Sequence, residues 1–132
     1  MKKRTGRLCK LRLELAREIG HPEGDRHTAY ELTLPLNPDG HIDATSWLDD
    51  PAACSVRRIR PGKVDSMGVL ARNPHGRWNF DFRDGHSADG HQGIRFGDDR
   101  FVPQALVGVN EDDGKTHMFR VVSINEHWPD RI

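Results

Sequence analysis

Hydrophobic and polar residues alternate along much of this chain, which is the pattern of β-strands with one buried face. In the segment Arg7–Glu18, charged residues alternate with three leucines, Leu11, Leu13 and Leu15. We predict a strand there, because a helix would spread these leucines around its surface. A helix is the alternative, since the residue types favour helices. The same alternation predicts a second strand at residues 30–34.

Turn residues separate the later hydrophobic runs. Residues 37–40, Asn-Pro-Asp-Gly, form a predicted turn, after which a short helix begins at an Asp43 cap and ends at Pro51. The side chains of Trp47 and Leu48 are expected to cover one end of the core.

Three further segments complete the predicted sheet. A third strand is expected within residues 54–59, followed by a hairpin over residues 68–83 with one aromatic face. The last hairpin spans residues 101–124, and its turn contains Gly114, where a positive φ is expected.

These elements predict an all-β, mainly antiparallel fold: a small barrel or rolled sheet of about six to seven strands with one short helix. One domain is expected to cover residues 1–132, because this length suits a single core. Within it, residues 1–6 are predicted to be a basic N-terminal tail, residues 84–99 a flexible loop and residues 125–132 a C-terminal tail.

The charges of the chain cancel, with 20 Lys and Arg against 20 Asp and Glu. Because no global field attracts the molecule to a polyanion, nucleic-acid binding is not favoured. Basic stretches at Lys2–Arg7 and Arg57–Lys63 keep it as an alternative. In that case Trp78 or Phe80 would have to be exposed for base stacking.

Hydropathy and cysteine content bear on the cellular location. No apolar run approaches the roughly 20 residues that span a bilayer, so we expect no membrane partner and a cytoplasmic location. Cys9 and Cys54 are the only cysteines and are far apart in sequence. Two buried free thiols are expected, with a single disulfide as the alternative.

One segment rich in histidine and aspartate stands out as candidate chemistry. It contains Asp84, His86, Asp89 and His91, and imidazole and carboxylate ligands suit zinc, nickel or iron. These four residues are therefore the candidate metal ligands. A glycine-rich loop does not by itself orient its ligands, so a solvated loop is favoured and no cofactor is predicted.

A second group of charged residues lies in the last hairpin. Glu111, Asp112 and Asp113 lack the ligand spacing of a calcium loop and are expected to solubilise the hairpin tip. His117 is expected to be an exposed or hydrogen-bonded strand residue.

The order of motifs resembles that of a family of small uncharacterised bacterial proteins from alphaproteobacterial genomes. The resemblance spans about residues 21–124 and is carried by HPEGDRHTAYELTLPLNPDGHIDATSW, CSVRR, GVLARNPHGRWNFDF and RFVPQALVGVNEDDGKTHMFRVVSI. The chain departs from the family pattern at residues 104–109. The resemblance implies a shared fold and transfers no activity, catalytic residue or cofactor.

No nucleophile elbow, zinc-protease pair or phosphate-binding loop occurs in the sequence. We therefore assign no catalytic residue and expect a non-enzymatic binding or interaction module whose partner is a protein or a small ligand. The alternatives are a small nucleic-acid-binding barrel and a metal-binding protein or metal-dependent enzyme that uses the His/Asp loop. The sequence does not fix the oligomeric state.

Overall fold

Within the part of the chain that the structure describes, eight antiparallel strands form a closed barrel in which each strand pairs with the next and the last pairs with the first. The computed structural model describes residues 7–72, 78–82, 94–96 (backbone only), 100–111 and 113–126. The elements in chain order are β1 Arg7–Leu15, β2 Asp25–Leu36, α1 Ala44–Asp49, a 3-10 turn Pro51–Ala53, β3 Ser55–Ile59, β4 Ser66–Arg72, β5 Trp78–Phe82, β6 Ile94–Phe96, β7 Leu106–Asn110 and β8 Thr116–Glu126. The predicted all-β barrel with one short helix is confirmed.

The alternation of residue types decides which side chains fill the barrel. Leu11, Leu13 and Leu15 on β1 are all buried. The intervening Arg12 and Glu14 face outward, where their side chains form an ion pair of 2.8 Å. This segment is therefore a strand, as the period of two predicts, and not the alternative helix.

Aromatic side chains occupy the centre of the barrel. The ring of Tyr30 lies 5.0 Å from that of Phe119 in an edge-to-face arrangement and 5.6 Å from that of Phe80. All three residues are almost fully buried. Contacts between aromatic rings stabilise a fold beyond the burial of their apolar area. These rings therefore hold β2, β5 and β8 together at the centre of the barrel.

Helix α1 closes one end of the barrel, which we call the helix end. The indole Nε1 of Trp47 donates to the carbonyl oxygen of Leu70 at 3.1 Å, and its ring meets that of Trp78 edge to face at 5.3 Å. Asp43 precedes the helix as predicted, and its carboxylate accepts a hydrogen bond from Ser46. The prediction for Leu48 is wrong, because this side chain is 67% exposed.

Two predicted boundaries also differ from the structure. Residues 94–96, within the predicted loop 84–99, form β6 and pair with β5 and β7. The predicted tail 125–132 begins too early, since β8 continues to Glu126 and its last residues pair with β1. Tail 1–6 and the remainder of the loop and of the C-terminal tail lie outside the described residues.

Among the described residues, no helix has the length and apolar character needed to cross a bilayer.

Close approach of β4 to β5 at Gly68 gives a test of this fold. A Cβ at position 68 would overlap the carbonyl oxygen of Asp81 and lie 2.9 Å from Phe82 Cα. We expect Gly68→Ala to force these strands apart and lower the free energy of unfolding by about 2 kcal/mol.

Gly108→Ala on β7 is the matched control, because its Cβ would meet the Thr116 and Met118 side chains at ordinary distances of 3.4 and 3.5 Å. It should change the free energy of unfolding by less than about 0.5 kcal/mol. Urea denaturation measures both, and equal effects of the two substitutions would contradict the observed β4–β5 contact.

Candidate functional site

Charged side chains gather at the barrel end opposite α1. We call them the His117 cluster and define it as His117 with the three carboxylates around it, those of Glu18, Glu111 and Asp113. Two further side chains, Tyr30 and Arg58, contact Glu111 from inside the barrel.

The strand pleat explains why polar groups from distant parts of the chain meet here. His117 lies on the same face of β8 as the buried Phe119 and Val121, so its ring points inward. Arg58 lies likewise on β3 beside the buried Val56 and is itself only 8% exposed. Glu18 comes from the turn after β1, which the pairing of β1 with β8 brings close to His117.

Both ring nitrogens of His117 face carboxylates. Nδ1 lies 3.0 Å from Glu18 Oε1, and Nε2 lies 2.9 Å from Asp113 Oδ2. A third oxygen, Glu111 Oε1, is 3.6 Å from Nε2, which is too far for a hydrogen bond. The His117 side chain is 18% exposed, so one side of the cluster is open to solvent.

Glu111 is held from the barrel interior. Its Oε2 accepts a short hydrogen bond from the Tyr30 hydroxyl, and Arg58 Nη2 lies 3.5 Å from the same oxygen. The Arg58 guanidinium in turn lies 6.0 Å from the centre of the Tyr30 ring. These contacts fix the carboxylate and leave Oε1 directed at His117.

The electrostatics follow from this geometry. The hydrogen bond with Asp113 raises the pKa of His117 above its ordinary value of 6.5, and Glu18 acts in the same direction while burial opposes both. The bond from His117 also lowers the pKa of Asp113 below its ordinary 3.8. An imidazolium that donates to two carboxylates is therefore the favoured form of the cluster when no other cation is bound.

The four ligands predicted from the sequence, Asp84, His86, Asp89 and His91, lie outside the described residues. The residues that the structure does bring together were expected to have other roles. The sequence pattern predicts that Glu111 solubilises the hairpin tip, yet its side chain is only 11% exposed and contacts the barrel interior.

The alternation of buried and exposed positions along β7 and β8 contains a signal for the cluster. Glu111 continues the buried positions Val107 and Val109, just as His117 precedes Phe119 and Val121. A polar residue in step with buried ones needs an internal partner, because an unpaired buried polar group is costly.

Some of the features that kept nucleic-acid binding as an alternative are used within the fold, whereas residues 2–6 of the first basic stretch lie outside the described residues. Trp78 and Phe80 are buried, at 8% and 1% exposure. Arg57 forms ion pairs with Glu31 and Asp65 on the outer face of the barrel. The first residue of the basic stretch 57–63 is therefore used within the fold.

No protein-family model, no curated protein and no solved structure matches this chain. The chemistry of the cluster thus rests on its own geometry.

Titration of His117 gives a test of this geometry. Because its pKa is raised in the folded state, the protonated ring stabilises the fold fully below pH 6.5, and this contribution is lost as the pH rises through the folded pKa. Asp113→Asn removes the largest cause, so the His117 pKa should fall, the stabilisation should be smaller and its loss should be complete at a lower pH.

NMR titration of the imidazole carbons measures the pKa, and urea denaturation across the same pH range measures the stability. Asp39→Asn removes an exposed carboxylate near the helix end and serves as the control. An equal change of the His117 pKa in the two variants would contradict the assigned contact.

Proposed function

We propose that this protein is a small binding module that holds a divalent transition-metal ion at the His117 cluster. The observation that carries the proposal is the convergence of three ligand atoms. The imidazole of His117 and one carboxylate oxygen each from Glu111 and Asp113 lie within 4.8 Å of one another.

The spacing suits a metal such as Zn²⁺. Ligand atoms bound at about 2.0–2.1 Å to one tetrahedral ion lie about 3.3 Å apart. The distances from His117 Nε2 to Asp113 Oδ2 and Glu111 Oε1, 2.9 and 3.6 Å, lie on either side of that value. Small side-chain adjustments would therefore place all three atoms around one ion, with a fourth position open to solvent or a ligand.

The surrounding contacts are those that orient metal ligands. A metal-binding histidine usually donates its second ring N–H to a carboxylate or carbonyl, which fixes the tautomer and raises the basicity of the ligating nitrogen. Glu18 supplies that carboxylate at Nδ1, leaving the Nε2 lone pair for the ion. Tyr30 and Arg58 hold Oε2 of Glu111, so Oε1 is the oxygen available for coordination.

The charge of the cluster also favours a divalent cation. Glu18, Glu111 and Asp113 contribute three negative charges and Arg58 one positive charge, which leaves two negative charges when His117 is neutral. A divalent ion would balance them. It would displace the proton that His117 carries in the metal-free cluster, so metal affinity should increase with pH.

The broader expectations from the sequence accompany this proposal. A non-enzymatic role, a cytoplasmic location and the resemblance to small alphaproteobacterial proteins remain predictions. Cys9 and Cys54 are both buried thiols that form no disulfide with each other, which suits a reducing compartment.

Metal titration of the chelator-treated full chain tests the proposal. We expect one Zn²⁺ per chain by calorimetry and Co²⁺ absorption bands typical of a low-coordinate site. Asp113→Asn should weaken Zn²⁺ binding at least tenfold, on the order of the loss seen at metal sites. Because the Asp113 side chain is 47% exposed, the fold should tolerate this substitution.

Two control variants make the result specific. His41→Gln removes a histidine near the helix end and should leave the affinity unchanged. The double substitution His86→Gln and His91→Gln tests the His/Asp loop that the sequence suggested. Zinc binding that survives Asp113→Asn and His117→Gln but disappears in the loop variant would assign the metal to the loop and overturn the proposal.

A further inference from the structure

A groove of about 830 Å³ lies on the outer surface of the barrel, where β1, β2 and β8 meet. It is separate from the His117 cluster and shares no lining residue with it. Three arginines, Arg17, Arg26 and Arg120, are part of its lining. All three are exposed, and they come from the turn after β1, the beginning of β2 and the middle of β8.

An irregularity of the sheet forms the groove. The pairing of β1 with β2 shifts between Glu14 and Leu15, so that residues 26–28 are extra residues in β2. Gly24 makes the turn into this bulge with a φ of +75° and approaches so closely that a Cβ there would lie 2.5 Å from the Leu15 carbonyl oxygen. Arg26 is therefore one of the bulge residues that do not pair with β1.

The three guanidinium groups have no partner within the part of the chain that the structure describes. No described carboxylate forms an ion pair with any of them, and no described group accepts a hydrogen bond from them. This differs from the neighbouring Arg12, whose guanidinium bonds to Glu14, to Glu31 and to the carbonyl oxygen of Arg26.

Two of the three carboxylates that line the groove are engaged elsewhere. Glu14 accepts from Arg12 Nε at 2.8 Å. Asp25 accepts from the Thr28 hydroxyl at 2.7 Å and from the His27 amide at 2.9 Å, and these bonds lower its pKa, so it keeps its negative charge. Only Glu23 is an exposed carboxylate with no such bond among the described residues. Arg12 compensates the charge of Glu14, so the three arginines of the lining face two uncompensated carboxylates, Glu23 and Asp25, and one net positive charge remains.

We propose that this groove binds a small phosphate-bearing anion, such as an oligophosphate or a phosphate ester. Guanidinium groups present planar pairs of N–H donors that match phosphate oxygens, and the groove brings together guanidinium groups from two strands and one turn. The volume lies within the usual range for small-molecule sites. Among the residues that the structure describes, no aromatic side chain lines the groove, so a stacked base would find no platform there and a nucleic-acid strand is the less suitable source of phosphate.

Calorimetric titration with inorganic pyrophosphate at low salt tests the proposal. The protein is first treated with a chelator, so the outcome does not depend on the His117 cluster. We expect saturable binding of one pyrophosphate, weakened about threefold to tenfold by Arg26→Gln or Arg120→Gln and further by the double substitution. Added salt should weaken binding because the site is exposed.

Lys10→Gln is the matched control, since Lys10 is an exposed cation on the outer face of β1 that is not part of the groove. Equal weakening by Lys10→Gln and Arg120→Gln would reveal only general attraction and would overturn the proposal, as would the absence of saturable binding.

A parallel titration with a ten-nucleotide oligothymidylate separates the two sources of phosphate. Tighter binding of the oligonucleotide than of pyrophosphate, lost in Arg120→Gln, would overturn the choice of a small anion. Circular dichroism of each variant establishes that the fold is retained.

Discussion

The pairing of β8 with β1 is the contact on which the rest of the structure depends. It joins residues 9–15 to residues 119–126 and converts a succession of hairpins with two exposed edges into a closed ring. A closed barrel leaves no unpaired edge strand and gives every strand an inner face. Both regions of candidate chemistry lie along this pairing, since Glu18 and His117 meet across it and the arginine groove borders it.

The two ends of the barrel are covered by different kinds of side chain. At the helix end, the indole rings of Trp47 and Trp78 cover the core with apolar surface and one hydrogen bond to the backbone. At the other end, the inward positions carry His117 and Arg58, and their hydrogen-bonding groups are compensated by carboxylates. A buried charge requires such compensation, so this end depends on electrostatic balance where the other depends on packing.

Local patterns in the sequence predict local structure well. The alternating leucines of β1 and the Asp43 start of α1 are recognisable because a strand or a cap depends on residues a few positions apart. β6 is missed, because only three residues form it within a polar, glycine-rich segment.

The His117 cluster could not be predicted in the same way. The contact between Glu18 and His117 joins residues 99 positions apart and exists only once the barrel closes. The inward direction of Arg58 was readable from its register with Val56, but its partner Glu111 was not, since strand order is not encoded in any one segment. The His/Asp loop is predicted as a metal site only because residues of ligand type lie close together in its sequence. Proximity in sequence does not show whether their side chains meet at one point in the structure.

The closing pair of strands also has a consequence for how the chain folds. Every other ladder of the barrel joins strands that follow one another in sequence, whereas this one joins the first strand to the last and ends in a 2.6 Å ion pair between Arg7 and Glu126. Because non-local contacts carry a larger loop-closure cost, ring closure is the slow step that topology imposes. A circularly permuted chain, joined between β8 and β1 and opened at the β3–β4 turn, would keep the same ring of strands. Its slow closure step would then move to the β3–β4 pair.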